Sequence, residues 1–147
     1  MYGSTFEGIK LSLNRDLIES RIQDIRSAIL SIQDICKKRH EELESRDVYA
    51  IRYLIITIVE SLVSISLHIL AEVYSIFPKS YRDAIEILAE KLELNKRCIE
   101  DLKALIGLRN LLVHWYWTIN DREIYDSIVN DFHCVYSFIE SIEREIL

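Results

Sequence analysis

Leu102-Lys103-Ala104-Leu105-Ile106-Gly107-Leu108-Arg109-Asn110-Leu111-Leu112-Val113-His114-Trp115-Tyr116 is the stretch that decides the fold class. Its apolar positions 102, 105, 106, 112 and 113 recur at intervals of three and four, as one face of an α-helix does, and the same row takes in Arg109 and Tyr116. Upstream, Asn95 offers a cap for this helix and Ile99 extends its stripe.

The flanks repeat the pattern. Pro78 with Phe77 closes a preceding helix predicted from Asp47 to about Ile76, which is apolar nearly all round and so is either the central helix of a bundle or part of a dimer seam. Lys79-Ser80 opens a short helix from about Tyr81 to Leu92. Before these, Asn14 caps a helix whose stripe is Leu17, Ile18, Ile22, Ile25, Ile29, Ile32 and Cys36, expected to run to about Ser45. Asn120-Asp121 restarts the chain, and a last helix from about Arg122 carries Ile124, Ile128, Phe132, Val135, Phe138, Ile139 and Ile142. Residues 1–13 show no helical period and are expected to form a loose arm. With only three Gly and one Pro, breakers are scarce, and 147 residues at 50% hydrophobic content suffice for one core and not for two. The expectation is a single all-α domain over residues 1–147, a bundle of four long helices and one short one.

The net charge of −6 repels phosphate, so any nucleic-acid site must be local. Lys96, Arg97, Lys103, Arg109 and Arg122 are the candidate basic strip. Cys36, Cys98 and Cys134 are odd in number and far apart, which reads as reduced thiols packed in helices of a cytoplasmic protein. The first twenty residues lack the pattern of a secretory signal. Tyr53 to Ala71 is the one membrane suspect, but it contains Glu60 and His68, and a charge near the bilayer centre costs about 3 kcal/mol, so a buried helix and no membrane partner are expected.

A guanidinium on an apolar face must be ion-paired, line a cleft or meet a second subunit, because burying it alone costs several kcal/mol. Glu60 is a carboxylate that fits the first case. His114 lies five residues on, about 140° away around an ideal helix. It shares a polar row with Lys103, Gly107 and Asn110, and Gly107 there removes a side chain where a ligand or another backbone can approach. An arginine binds a phosphodiester through forked hydrogen bonds, and a histidine exchanges protons near neutral pH. The pairing suits metal-independent RNA cleavage, in which the 2′-hydroxyl attacks the adjacent phosphorus. To act on one phosphate, Arg109 and His114 need a helix end at His114, a second protomer, or both. The scattered His40, His68, His114 and His133 form no metal motif, and no cofactor motif occurs.

Arg109-Asn110-x-x-x-His114-x-Tyr116 resembles the Arg-x4-His-x-Tyr signature of the HepT family of HEPN toxins. The similarity continues in Pro78-Lys79-Ser80-Tyr81-Arg82-Asp83-Ala84 ahead of the short helix and in Asp121 and Tyr125 at the last one, across about residues 20 to 145. The resemblance implies a HEPN-like fold and a homodimer with its active site between protomers. Arg109 and His114 would be the ribonuclease pair and Asn110 the supporting polar residue. It further implies a minimal nucleotidyltransferase antitoxin that silences the toxin by attaching AMP to Tyr116, placing charge and bulk where RNA must sit. Trp115 and Trp117 read as packed interface aromatics or as base-stacking platforms. The competing readings are a non-catalytic helical module that binds a nucleotide or docks a nucleotidyltransferase, and a purely structural dimer.

Overall fold

Asn14, Ser80 and Asn95 each accept a backbone N–H at the start of a helix: from Leu17 at 3.0 Å, Asp83 at 3.1 Å and Cys98 at 2.8 Å. These caps satisfy donors that the first turn otherwise leaves unpaired. The computed structural model describes residues 12–114, 120–122, 124 and 132–147. Within them the chain forms α1 (Arg15–Ile35), a 3-10 turn (His40–Glu42), α2 (Ser45–Tyr74), α3 (Tyr81–Lys91), α4 (Lys96–His114) and α5 (His133–Glu145). Residues 121, 122 and 124 are also helical. The described residues contain no strand, so the fold is all-α and helical as expected.

α1 stops ten residues earlier than its charge pattern suggested. After Cys36 the buried stripe ends, and Lys37-Lys38-Arg39-His40 offers nothing to bury. The acidic residues beyond it cap instead of continuing the helix. Glu42 accepts the backbone N–H of Arg39 at 3.1 Å, and Asp47 accepts that of Glu44 at 2.9 Å. The Glu44 N–H, and secondarily the Lys38 ammonium, hold the Asp47 carboxyl below its ordinary value. α2 ends at Ser75, whose φ of 55° is a left-handed cap, with the Ile76 N–H closing on the Leu70 carbonyl at 2.9 Å.

α2 is the central helix, in contact with α1, α3 and α4. It is long and apolar enough to cross a membrane, yet Ile55, Ile58, Val59, Leu62, Ile65, Ile69 and Leu70 are buried in the bundle core. Tyr49, Tyr53 and Leu67 stay exposed on it. The end of the expected loose arm is fastened: Ser12 Oγ donates to Glu72 Oε2 at 3.0 Å and Leu13 is buried. The Asn14 N–H donates to His68 Nε2 at 2.9 Å, pinning the start of α1 to α2.

The cysteines correct the sequence reading. Cys98 and Cys134 form a disulfide that joins α4 to α5, with Cα atoms 5.1 Å apart, and Cys36 is a buried thiol outside it whose pKa is raised by desolvation. Two cysteines 36 residues apart carry no spacing signal. Only the packing of the first turn of α5 on that of α4 brings them together.

Candidate functional site

Three helices meet at Arg109. From α4 its Nε donates to Glu60 Oε1 of α2 at 2.8 Å, and its Nη2 donates to the same oxygen. Its Nη1 donates to the neighbouring Asn110 Oδ1 at 3.1 Å. The guanidinium lies over the ring of Tyr81, from the first turn of α3, at 5.1 Å. An arginine on the buried stripe has thus found the carboxylate it required. The pair is half-buried and contributes about 1–2 kcal/mol, between the values for exposed and buried ion pairs. Three of the five guanidinium N–H donors are engaged in these bonds, so two remain for a ligand oxygen.

Asn110 is half-buried and linked to Arg109, although ideal periodicity assigns the two to different faces. The reach of the guanidinium bridges them. His114 is exposed, is the last described residue of α4, and makes no hydrogen bond among the described residues. Five residues along a helix separate it from Arg109 by about 7.5 Å of rise as well as by rotation. Ile99, Leu102, Ile106 and Leu112 are buried as expected, whereas Val113, read as part of the stripe, is exposed together with Leu111. Trp115, Tyr116, Trp117 and Tyr125 lie outside the described residues.

Of the expected basic strip, Lys103, Arg109 and Arg122 are paired with carboxylates, while Lys96 and Arg97 are exposed and make no ion pair among the described residues. Lys103 pairs with Glu86 and, at 3.7 Å, with Glu100, and the Glu86 hydrogen bond raises the lysine pKa. Arg122 pairs with Glu41 at 3.1 Å. The sequence reading did not single out the Arg52 pair with Asp121 or the individual contacts of Tyr81 and Arg82 with α4. Arg52 stands in the apolar run of α2, and that was a signal of the same kind as Arg109 on its stripe. Tyr81 and Arg82 gave no such signal, because only the docking of α3 on α4 assigns them. Gly107 had been read as making room for something: a Cβ there would lie 2.7 Å from Arg82 Nη2, so the occupant is a guanidinium.

The model of the family described as HepT-like, "Ribonuclease HepT-like", matches residues 17–142. No curated protein matches the chain. A solved toxin–antitoxin structure with AMP-PNP is similar at TM-score 0.77 and 25% identity, covering 88% of this chain and 99% of that one. The tri-AMPylated Shewanella oneidensis HEPN toxin, in complex with an MNT antitoxin, is similar at TM-score 0.77 and 26% identity, covering 88% and 98%. The Bacillus subtilis cytosolic protein YutE, of unknown function, shares the fold at TM-score 0.76 and 18% identity over 90% of each chain.

Proposed function

The chain belongs to the HepT-like ribonuclease family, and from that premise we propose that it is a metal-independent endoribonuclease toxin whose working pair is Arg109 and His114. The observation that carries this reading is the setting of Arg109: held by Glu60, steadied by Asn110 and Tyr81, and left with two N–H donors, on the same helix as an exposed imidazole. Arg109 holds the scissile phosphate and stabilises the charge that builds on it. The 2′-oxygen bonds to phosphorus and the bond to the 5′-oxygen breaks, leaving a 2′,3′-cyclic phosphate and a 5′-hydroxyl. His114 relays the proton from the nucleophile or to the leaving oxygen.

The separation of Arg109 from His114 along one helix argues for a homodimer that brings the pairs together. Exposed Tyr49 and Tyr53 stand on α2 in the helical row that continues to Glu60, and exposed Leu111 and Val113 lie between Arg109 and His114 on α4. A second copy would cover this apolar surface. The partner is a minimal nucleotidyltransferase antitoxin, in keeping with the MNT antitoxin bound to the Shewanella toxin. It would silence the site by joining the Tyr116 oxygen to the α-phosphorus of ATP, with pyrophosphate leaving.

One observation favours the non-catalytic module: the charge of Arg109 is already balanced by Glu60. Incubation of the purified protein with RNA in EDTA separates the two readings. The ribonuclease yields fragments ending in cyclic phosphate, and Arg109→Ala and His114→Ala lose them by at least about 100-fold. An unmodified wild-type protein that leaves RNA intact contradicts the ribonuclease.

A further inference from the structure

Gly107 stands in the interior of α4, and no glycine among the described residues has a positive φ. Its backbone therefore does not require glycine, which in a helix interior costs about 1 kcal/mol relative to alanine. What it supplies is room. Among the described residues, the one neighbour that an added Cβ would meet within 4 Å is the Arg82 guanidinium, at 2.7 Å from Nη2 and 3.9 Å from Cζ. Exposed arginines are ordinary features of a helix surface, but here a second helix gives up a side chain to seat one.

The seat lies on the candidate site. Gly107 precedes Asn110 and His114 in one row of α4, and the same first turn of α3 that carries Arg82 lays Tyr81 against Arg109. The charges differ sharply around this face. Arg109, Lys103, Arg122 and Arg52 each face a carboxylate, whereas Arg82 is exposed and makes no ion pair among the described residues. In a chain of net charge −6, that unbalanced guanidinium is what the notch at Gly107 offers to an incoming anion, and Lys96 and Arg97, at the far end of α4, are the other cations of the expected strip with no ion pair among the described residues.

We infer that Arg82, seated in the notch at Gly107, binds an RNA backbone phosphate next to the scissile one and so sets how the strand runs along α4. The inference rests on the ribonuclease reading and adds a binding residue to it. Gly107 and His114 are about 10 Å apart along the helix axis, so the Arg82 phosphate is a neighbour of the one that is cut. Guanidinium forks suit phosphate oxygens, and each phosphate contact to a single strand adds about 0.7 to the slope of log affinity against log salt.

The test uses the full chain and two versions of one fluorescent single-stranded oligoribonucleotide, unmodified for kinetics and fully 2′-O-methylated for binding without cleavage. Arg82→Ala should weaken binding about tenfold at low salt, the worth of a charge-assisted hydrogen bond, and reduce the salt slope by about 0.7. The loss should appear in KM rather than kcat. Arg82→Lys should restore the slope. Gly107→Ala should displace the guanidinium, weaken binding in the same direction and melt no lower than wild type. Arg21→Ala, which removes one charge from α1, should leave the slope unchanged. An Arg82→Ala protein with the wild-type slope and KM overturns the inference while the ribonuclease stands, as does a loss confined to thermal stability. A wild-type protein that neither binds nor cuts the oligonucleotide overturns both.

Discussion

Arg52 and Arg109 grip their partners in the same way, each donating from Nε and Nη2 to one carboxylate oxygen, of Asp121 and Glu60 respectively. Their burial matches too: the arginines are 13% and 16% exposed, the carboxylates 37% and 41%. Both pairs reach from α2 into the stretch closed by the Cys98–Cys134 disulfide. An ion pair of this kind therefore marks no site by itself. The pair at Arg109 differs in having the Tyr81 ring on its face and Asn110 on its free edge, with His114 further along the same helix and Arg82 reaching that helix from α3 at Gly107. The Arg52 pair ties α2 to Asp121, the first helical residue of the next described stretch.

The largest expected effect acts on both pairs at once. Reducing the disulfide, or Cys134→Ser, should lower stability by about 4 kcal/mol in the chain-entropy model for a loop of this length, measured by urea denaturation. A loss well under 1 kcal/mol would show that helix packing alone holds the two stretches to α2. Next come Glu60→Ala and Asp121→Ala. Each leaves a half-buried guanidinium without its carboxylate and should cost about 1–2 kcal/mol. The two should be alike in stability and unlike in cleavage, since only Glu60→Ala frees Arg109 from its set position. Equal activity in the two variants would dissolve the comparison. The smallest effect is at Gly107, where alanine should add up to about 1 kcal/mol of stability while displacing Arg82 from the row.

How much of this was legible depended on how local its cause is. The caps at Asn14 and Asn95, the helix opening at Ser80 and most of the apolar stripes are written within single helices and were legible, whereas the last helix, expected to run unbroken from Arg122, is interrupted at Phe132 and starts again at His133. The Arg109–Glu60 pair was foreseeable for a different reason: a guanidinium in an apolar stripe demands a carboxylate, and α2 offers Glu60 as a charge within its apolar run. The early end of α1 was missed because Glu42 looks like part of a solvated helix face until its carboxylate is seen accepting the Arg39 N–H. The disulfide, Tyr81 and Arg82 depend on how one helix docks on another, which no spacing along the chain encodes. Gly107 was half legible: the missing side chain announced a vacancy, and only the docking of α3 named its occupant.

The most direct measurement is single-turnover cleavage of an oligoribonucleotide in EDTA by wild type, Arg109→Ala and Arg52→Ala, each assayed at a temperature where it is fully folded. The account predicts that Arg109→Ala loses at least about 100-fold while Arg52→Ala stays within a few-fold of wild type. Equal losses in the two variants would contradict it, because the twin ion pairs would then be interchangeable struts and α4 would carry no catalytic site.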